Sequence, residues 1–387
     1  LPTSYTNTYN EFMRPTLNYV AIWNKANKKG TWSGTTWNLE QALEKDFKVN
    51  SVEKSRNRVF EKLISLSDNF FYKLHINYKF YMHFLNLEAV YRRLNTRKTK
   101  HQLKIGDVLQ VWDVVDVANS SLYVDLTFGS IRFLNQRYPN SFGQSNFENL
   151  NSIVLKKKID VQATFLDNQK YIFTMSHWLR NYLIENEHRP ATQVIYAGGG
   201  VSDLIPIQEL PRKKMHQLIF VGRDFERKGG FLLIKAFNLL KKKPGFEDLS
   251  LLIIGPQEQP NMISDPHIHF LGPQNHQTIM TKIAESSLFV MPSIFEAYGI
   301  VFAEAICLGT PILGSDRMEM PFFTDKNRYG LVWDLQRIET LVHLIKEILS
   351  NDSYQYSISR DMVSNRQFYS WENISKRISC YLQKSAK

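Results

Sequence analysis

Only two cysteines, Cys307 and Cys380, occur among the 387 residues. That number excludes a disulfide framework and a cysteine-based metal cluster, and Cys307 reads as a packing residue rather than a nucleophile. Long apolar runs are also missing: charges interrupt every hydrophobic stretch before the roughly 18–20 residues that a membrane span requires. The N-terminus has no basic-then-apolar secretory pattern. These absences lead us to expect a soluble, cytoplasmic chain. Acidic residues are outnumbered as well, 37 Asp and Glu against 48 Lys and Arg, for a formal charge of +11. No nucleic-acid-binding motif accompanies the excess, so nucleic acid is not expected as a partner.

What is present is a chain of 43% hydrophobic residues, enough for two or three cores of ordinary size. Strand-like and helix-like segments alternate, the pattern of an α/β protein. Pro206, Pro211 and the basic run Arg212, Lys213 and Lys214 separate two such blocks. We therefore expect one domain over residues 1–205 and a second over 206–367.

The segment from Leu288 to Pro311 carries the most chemistry. Leu288, Phe289, Val290 and Met291 are apolar and closed by Pro292, which reads as a buried parallel strand feeding a loop. Glu296 then falls in the loop. A helix is expected from about Gly299 to Leu308, stopped by Gly309 and Pro311, with Glu304 in its early turns. That start would leave the amides of Ala297, Tyr298, Gly299 and Ile300 at the positive helix end, where an anion such as phosphate is favoured. An ordinary amphipathic helix carrying two glutamates by accident would show the same spacing.

A second segment, Gln217 to Gly230, ends a strand pattern at Gly222 and then presents Arg223 and Lys228. A diphosphate leaving group gains negative charge as the bond to it breaks, and a guanidinium fork with a lysine point charge would stabilise it. Taken alone, such residues on a loop are usually surface charge. Together, Arg223, Lys228, Glu296 and Glu304 resemble the donor-site signature of the retaining family-4 glycosyltransferases. Leu251–Gly255, His269–Gly272, Thr310–Asp316 and Phe368–Glu372 follow in the order this family has. The resemblance implies a GT-B fold, two Rossmann-like domains facing across a cleft, with the terminal helix of about 368–387 packed back on the first. It also implies metal-independent transfer from a nucleotide sugar with retention of configuration. On the same footing Glu296 holds the sugar, Glu304 the ribose, and Gly272 lies near the base. No cofactor is implied, and Asp113 and Asp116 do not form the Asp-x-Asp of metal-dependent transferases.

The N-terminal half is read less sharply. Leu17–Ile22 is a first strand, and the loop after it brings Gly34 to a helix start, where a bare backbone could approach the donor diphosphate or simply make a turn. Asp125 ends a later strand and is the candidate for sugar or acceptor contact, although Val124 stands where many relatives have a histidine. Residues 51–100 hold a net +7, with Phe70, Phe71, Tyr72, Tyr78, Phe80, Tyr81, Phe84 and Tyr91 interleaved. Such a segment suits an enzyme working on a lipid-linked acceptor at an anionic membrane surface, or equally a helical pair with a solvated basic face. The acceptor class stays open among glycan, lipid-linked and protein acceptors, in a setting such as bacterial cell-surface polysaccharide or glycoprotein assembly. A non-catalytic, glycosyltransferase-like partner subunit is the alternative.

Overall fold

In the computed structural model of the chain, residues 14–54, 58–74, 87–112, 116–139, 147, 152–260, 263 and 265–384 are described. They fall into two compact units, one within residues 1–137, 148–198 and 371–387 and the other within 138–147 and 199–370.

The first unit contains a six-stranded, wholly parallel sheet: β1 (Thr16–Ala21), β2 (Lys48–Glu53), β3 (Asp107–Val111), β4 (Ser121–Val124), β5 (Ile172–Thr174) and β6 (Val194–Tyr196). Their order is β2-β1-β3-β4-β5-β6. The connections include α1 (Thr35–Leu43), α2 (Arg58–Lys73), α3 (Leu87–Lys100), α4 (Phe128–Arg137), α5 (Ser152–Asp167) and α6 (His177–Glu185). Every residue of β4 is buried, as expected where helices cover both faces of a parallel sheet. Ser176 caps α6, its Oγ accepting from the Leu179 amide at 3.0 Å.

The second unit repeats the plan with β7 (Lys214–Val221), β8 (Ser250–Ile254), β9 (Ile268–Gly272), β10 (Ser286–Val290), β11 (Ile312–Ser315) and β12 (Gly330–Trp333). Its helices are α7 (Gly230–Leu240), α8 (His276–Glu285), α9 (Ile300–Cys307), α10 (Met320–Phe323), α11 (Ile338–Leu349), α12 (Asp352–Arg360) and α13 (Met362–Phe368). The strand order is β12-β11-β10-β7-β8-β9, all parallel, with β7 and β10 adjacent at the centre. Read from β9, this is the doubly wound Rossmann order. Its topological switch point lies between β7 and β10, where such sheets hold their ligands beyond the carboxyl ends. Leu251, Ile253 and Ile254 of β8 are fully buried, each contributing about 1.5–3 kcal/mol of hydrophobic stabilisation.

The chain passes between units at Gly198 and Gly199, ahead of the boundary expected at 205–206. Backbone pairing decides the difference. Val201 bridges Ser370 in parallel, its amide donates to the Tyr369 carbonyl at 2.8 Å, and Arg366 donates to the Ile205 carbonyl at 2.7 Å. All three hold residues 201–205 to the second unit. The terminal helix α14 (Trp371–Lys384) belongs to the first unit. Its Ile374, Ile378 and Leu382 recur at four-residue spacing and are fully buried. Polar ties flank the stripe: Lys45 to Glu372 at 3.1 Å, Ser379 to Asp46 at 2.7 Å and Arg377 to the Ala197 carbonyl at 2.7 Å.

Candidate functional site

The loops leaving β7 and β10 are joined at the switch point by backbone as well as by charge. The Ile294 amide donates to the Arg227 carbonyl at 2.8 Å, and Arg227 Nη1 donates to the Phe295 carbonyl at 2.6 Å. Between them lies an ion pair, Lys228 Nζ to Glu296 Oε2 at 2.9 Å, with both side chains about six-sevenths buried. Arg227 stands 3.7 Å from the same oxygen and is itself oriented by Asp224 at 2.7 Å. Two of the four residues singled out in the sequence, Lys228 and Glu296, are thus in direct contact. Arg223 is exposed and has no ion pair among the described residues. Gly222 makes room for the lysine stem: a Cβ there would sit 2.3 Å from Lys228 Cδ.

Helix α9 begins at Ile300 with Gly299 as its N-cap at φ +84, so the amides of its first turn are those of Ile300, Val301 and Phe302. Phe302 donates to the Gly299 carbonyl at 2.9 Å. Of the expected stretch Ala297 to Ile300, Gly299 caps the helix and Ile300 begins it, while Ala297 and Tyr298 lie in the loop just before, as a helix start near Gly299 requires. Tyr298 anchors the loop through its phenol, which accepts from the Gly199 amide at 3.0 Å and donates to the Gly199 carbonyl at 3.1 Å. Cys307 lies within α9 itself and is fully buried. Burial pushes its thiol well above the usual range, which removes it as a nucleophile.

Glu304 is buried on α9 and accepts a hydrogen bond from His276 Nε2 at 3.0 Å. His276 is the first residue of α8, whose cap Asn275 accepts from the Thr278 amide at 2.8 Å. A cation at a helix N-terminus is disfavoured by the macrodipole, yet the imidazole pKa is raised. The hydrogen bond to Glu304 is the largest cause, opposed by burial and aided by the charges of Glu304 and Asp203. Because the folded-state value lies above the unfolded one, the pair contributes fully below about pH 6.5 and is lost as pH rises through the raised value. The melting-temperature advantage of wild type over His276→Gln should therefore be largest near pH 5.5–6 and shrink toward pH 9. A constant difference across that range would assign the pair no proton-linked role.

His276 and Arg227 were not singled out in the sequence. Arg227 carried a signal, since it precedes Lys228 in the same loop. His276 had none, because the α8–α9 contact that brings it to Glu304 is tertiary. Gly272 closes β9 at φ +63, and its carbonyl accepts from the Gly255 amide at 2.9 Å.

In the first unit, Gly34 is the N-cap of α1 at φ +85, and the preceding Trp32 and Ser33 also have positive φ. Trp32 meets the ring of Tyr123 edge-on at 6.0 Å, and the Tyr123 phenol donates to the Gly198 carbonyl at 2.7 Å. Asp125 follows β4, so Gly34 and Asp125 both lie beyond the carboxyl ends of that sheet. Of the basic, aromatic segment, Tyr78, Phe80, Tyr81 and Phe84 fall outside the described residues, as does Asp113. Among the described residues, no group of three His, Cys, Asp or Glu side chains is arranged to hold a metal ion, and no helix is long and apolar enough to cross a membrane.

Comparison with known proteins gives a family match within this second unit. Residues 202–366 match the family described as glycosyl transferases group 1. D-inositol 3-phosphate glycosyltransferase of Corynebacterium glutamicum (strain R) is 24% identical over 172 residues, covering 41% of this chain and 41% of that protein. O-antigen chain mannosyltransferase B of Escherichia coli is 26% identical over 234 residues, covering 54% of this chain and 59% of the other. The matched region thus spans about half the length of these curated relatives. Among solved structures, sucrose-phosphate synthase from Thermosynechococcus elongatus superposes with a TM-score of 0.63 at 14% identity, covering 96% of this chain and all of that one. WaaG, a glycosyltransferase involved in lipopolysaccharide biosynthesis, gives 0.62 at 13% identity, covering 95% and 99%. Those likenesses show the fold over nearly the whole chain. With two parallel six-stranded sheets the chain has the GT-B fold, and within its second unit residues 202–366 resemble the glycosyl transferases group 1 family.

Proposed function

We propose that the chain is a retaining, metal-independent glycosyltransferase that moves a sugar from a nucleotide sugar to a glycan, lipid-linked or protein acceptor, as in bacterial cell-surface polysaccharide or glycoprotein assembly. The observation that carries this reading is the Lys228–Glu296 pair at 2.9 Å, placed at the switch point of a Rossmann-ordered sheet. Lys228 and Arg223 neutralise the diphosphate as charge develops on it, aided by the amides of Ala297 to Ile300. Glu296 accepts from sugar hydroxyls. Glu304, with Oε1 engaged by His276, uses its second oxygen for the ribose. Gly272 borders the base. Gly34 and Asp125 serve the acceptor side, Gly34 toward the diphosphate and Asp125 toward the incoming hydroxyl. The leaving phosphate takes the acceptor proton, so no further protein base is required. Work at the surface of an anionic membrane fits the exposed Leu63 and Leu66 of α2 beside the basic α3.

A thermal-shift panel of nucleotide sugars, followed by assay of donor hydrolysis by the purified chain, tests the reading. One donor class should raise the melting temperature and be hydrolysed slowly without acceptor. Binding without hydrolysis or transfer would instead identify the non-catalytic, acceptor-binding subunit. Failure to bind any nucleotide sugar would overturn the proposal.

A further inference from the structure

The first unit has a cavity of about 710 Å³ at the C-terminal half of α3, facing α5. Its lining includes Arg92, Arg93, Arg97, Lys100 and His101, against a single carboxylate among the described residues, Asp116. Arg93, Arg97 and Lys100 are spaced i, i+4, i+7 and so share one helix face. Like charges at that spacing repel, and none of the three side chains takes a hydrogen bond or ion pair with a described residue. Cations in the last helical turn are favoured by the macrodipole, which accounts for Arg97 and Lys100 but not for Arg92 and Arg93 a turn or more earlier. On the facing wall, Phe165 of α5 lies under the Arg92 guanidinium at 5.4 Å, which limits the directions its fork can take.

From this constellation we infer a binding site for a phosphate-bearing group of at least two negative charges. Guanidinium forks match phosphate oxygens two at a time, and the cavity has the volume of an ordinary small-molecule site. The inference does not rest on sugar transfer. Helices of a parallel α/β unit run against the strands, so the C-terminal halves of α3 and α5 lie level with the amino ends of β3 and β5. Lys170 and Asp107 mark that end by meeting at 3.5 Å. Gly34 and Asp125 lie at the carboxyl ends, about 15 Å away along a five-residue strand.

Calorimetric titration of the full chain with inorganic pyrophosphate tests the site, in an Arg223→Ala/Lys228→Ala background that removes the two cations assigned above to the diphosphate. One binding event should remain. Adding Arg93→Ala and Arg97→Ala should weaken it by about tenfold or more without changing the melting temperature, since both side chains are exposed, whereas adding Lys346→Ala should leave it unchanged. Sedimentation with phosphatidic acid vesicles, against phosphatidylcholine vesicles, separates the sources. Binding that pyrophosphate displaces and the double substitution removes assigns the phosphate to a lipid headgroup; binding of free pyrophosphate alone assigns it to a soluble phosphate ester. The site is overturned if the Arg93→Ala/Arg97→Ala change leaves pyrophosphate affinity unaltered, or if the parent variant binds no pyrophosphate.

Discussion

Glu296→Ala is expected to lower sugar transfer by about a hundredfold or more while affinity for the bare nucleoside diphosphate stays within about threefold or rises. The asymmetry follows from the contacts of this carboxylate. Arg227 retains Asp224 at 2.7 Å and the Phe295 carbonyl at 2.6 Å when Glu296 is removed. Lys228, by contrast, loses its 2.9 Å partner and becomes a less encumbered cation for phosphate, while the sugar loses an acceptor of its hydroxyl protons. Glu296→Gln, which keeps an acceptor oxygen without the charge, should fall between wild type and the alanine variant. Measured kcat/KM beside calorimetric binding of the nucleoside diphosphate separates the two effects. Transfer within threefold of wild type would refute the assignment. A matching loss of diphosphate affinity would place Glu296 in the phosphate loop rather than at the sugar.

The second large effect is expected on folding. Gly229 is the N-cap of α7 at φ +78, and a Cβ there would lie 2.1 Å from the Pro292 carbonyl oxygen and 2.8 Å from its carbon. The obstacle is backbone of the β10 loop and cannot rotate aside. Gly229→Ala should therefore combine left-handed strain with overpacking and destabilise the chain by about 3 kcal/mol or more, a fall of roughly 6–12 °C in melting temperature. Gly245→Ala is the control. Gly245 has φ +85 with nothing within 4 Å of an added Cβ, so only strain of about 1 kcal/mol applies. If the two variants melted at the same temperature, the close approach of the two donor loops would have no energetic weight.

The second unit was legible in the sequence because its determinants are local. β8 is an uninterrupted apolar run, β10 is closed by Pro292, and α9 is bounded by Gly299 and Gly309. Order along the chain then placed Lys228 and Glu296 after strands that turn out to be neighbours. Contacts between elements distant in sequence were not legible. Nothing in residues 273–285 announces that His276 reaches Glu304, and the boundary near 205 followed proline and charge where the fold follows the Val201–Ser370 bridge. The start of α9 was legible to within one residue, because Gly299 caps it in the left-handed region.

Gly222 and Lys228 limit each other's history. Of the atoms nearest an added methyl at position 222, all three belong to the lysine stem. Alanine at 222 would thus displace the ammonium that meets Glu296, whereas in a chain already carrying Lys228→Ala the same methyl would no longer meet that stem. A lineage drifting through this loop can lose the glycine at little cost only after it has lost the lysine. Any descendant with a side chain at 222 and an intact lysine at 228 must have re-routed the lysine stem or rebuilt the turn between them.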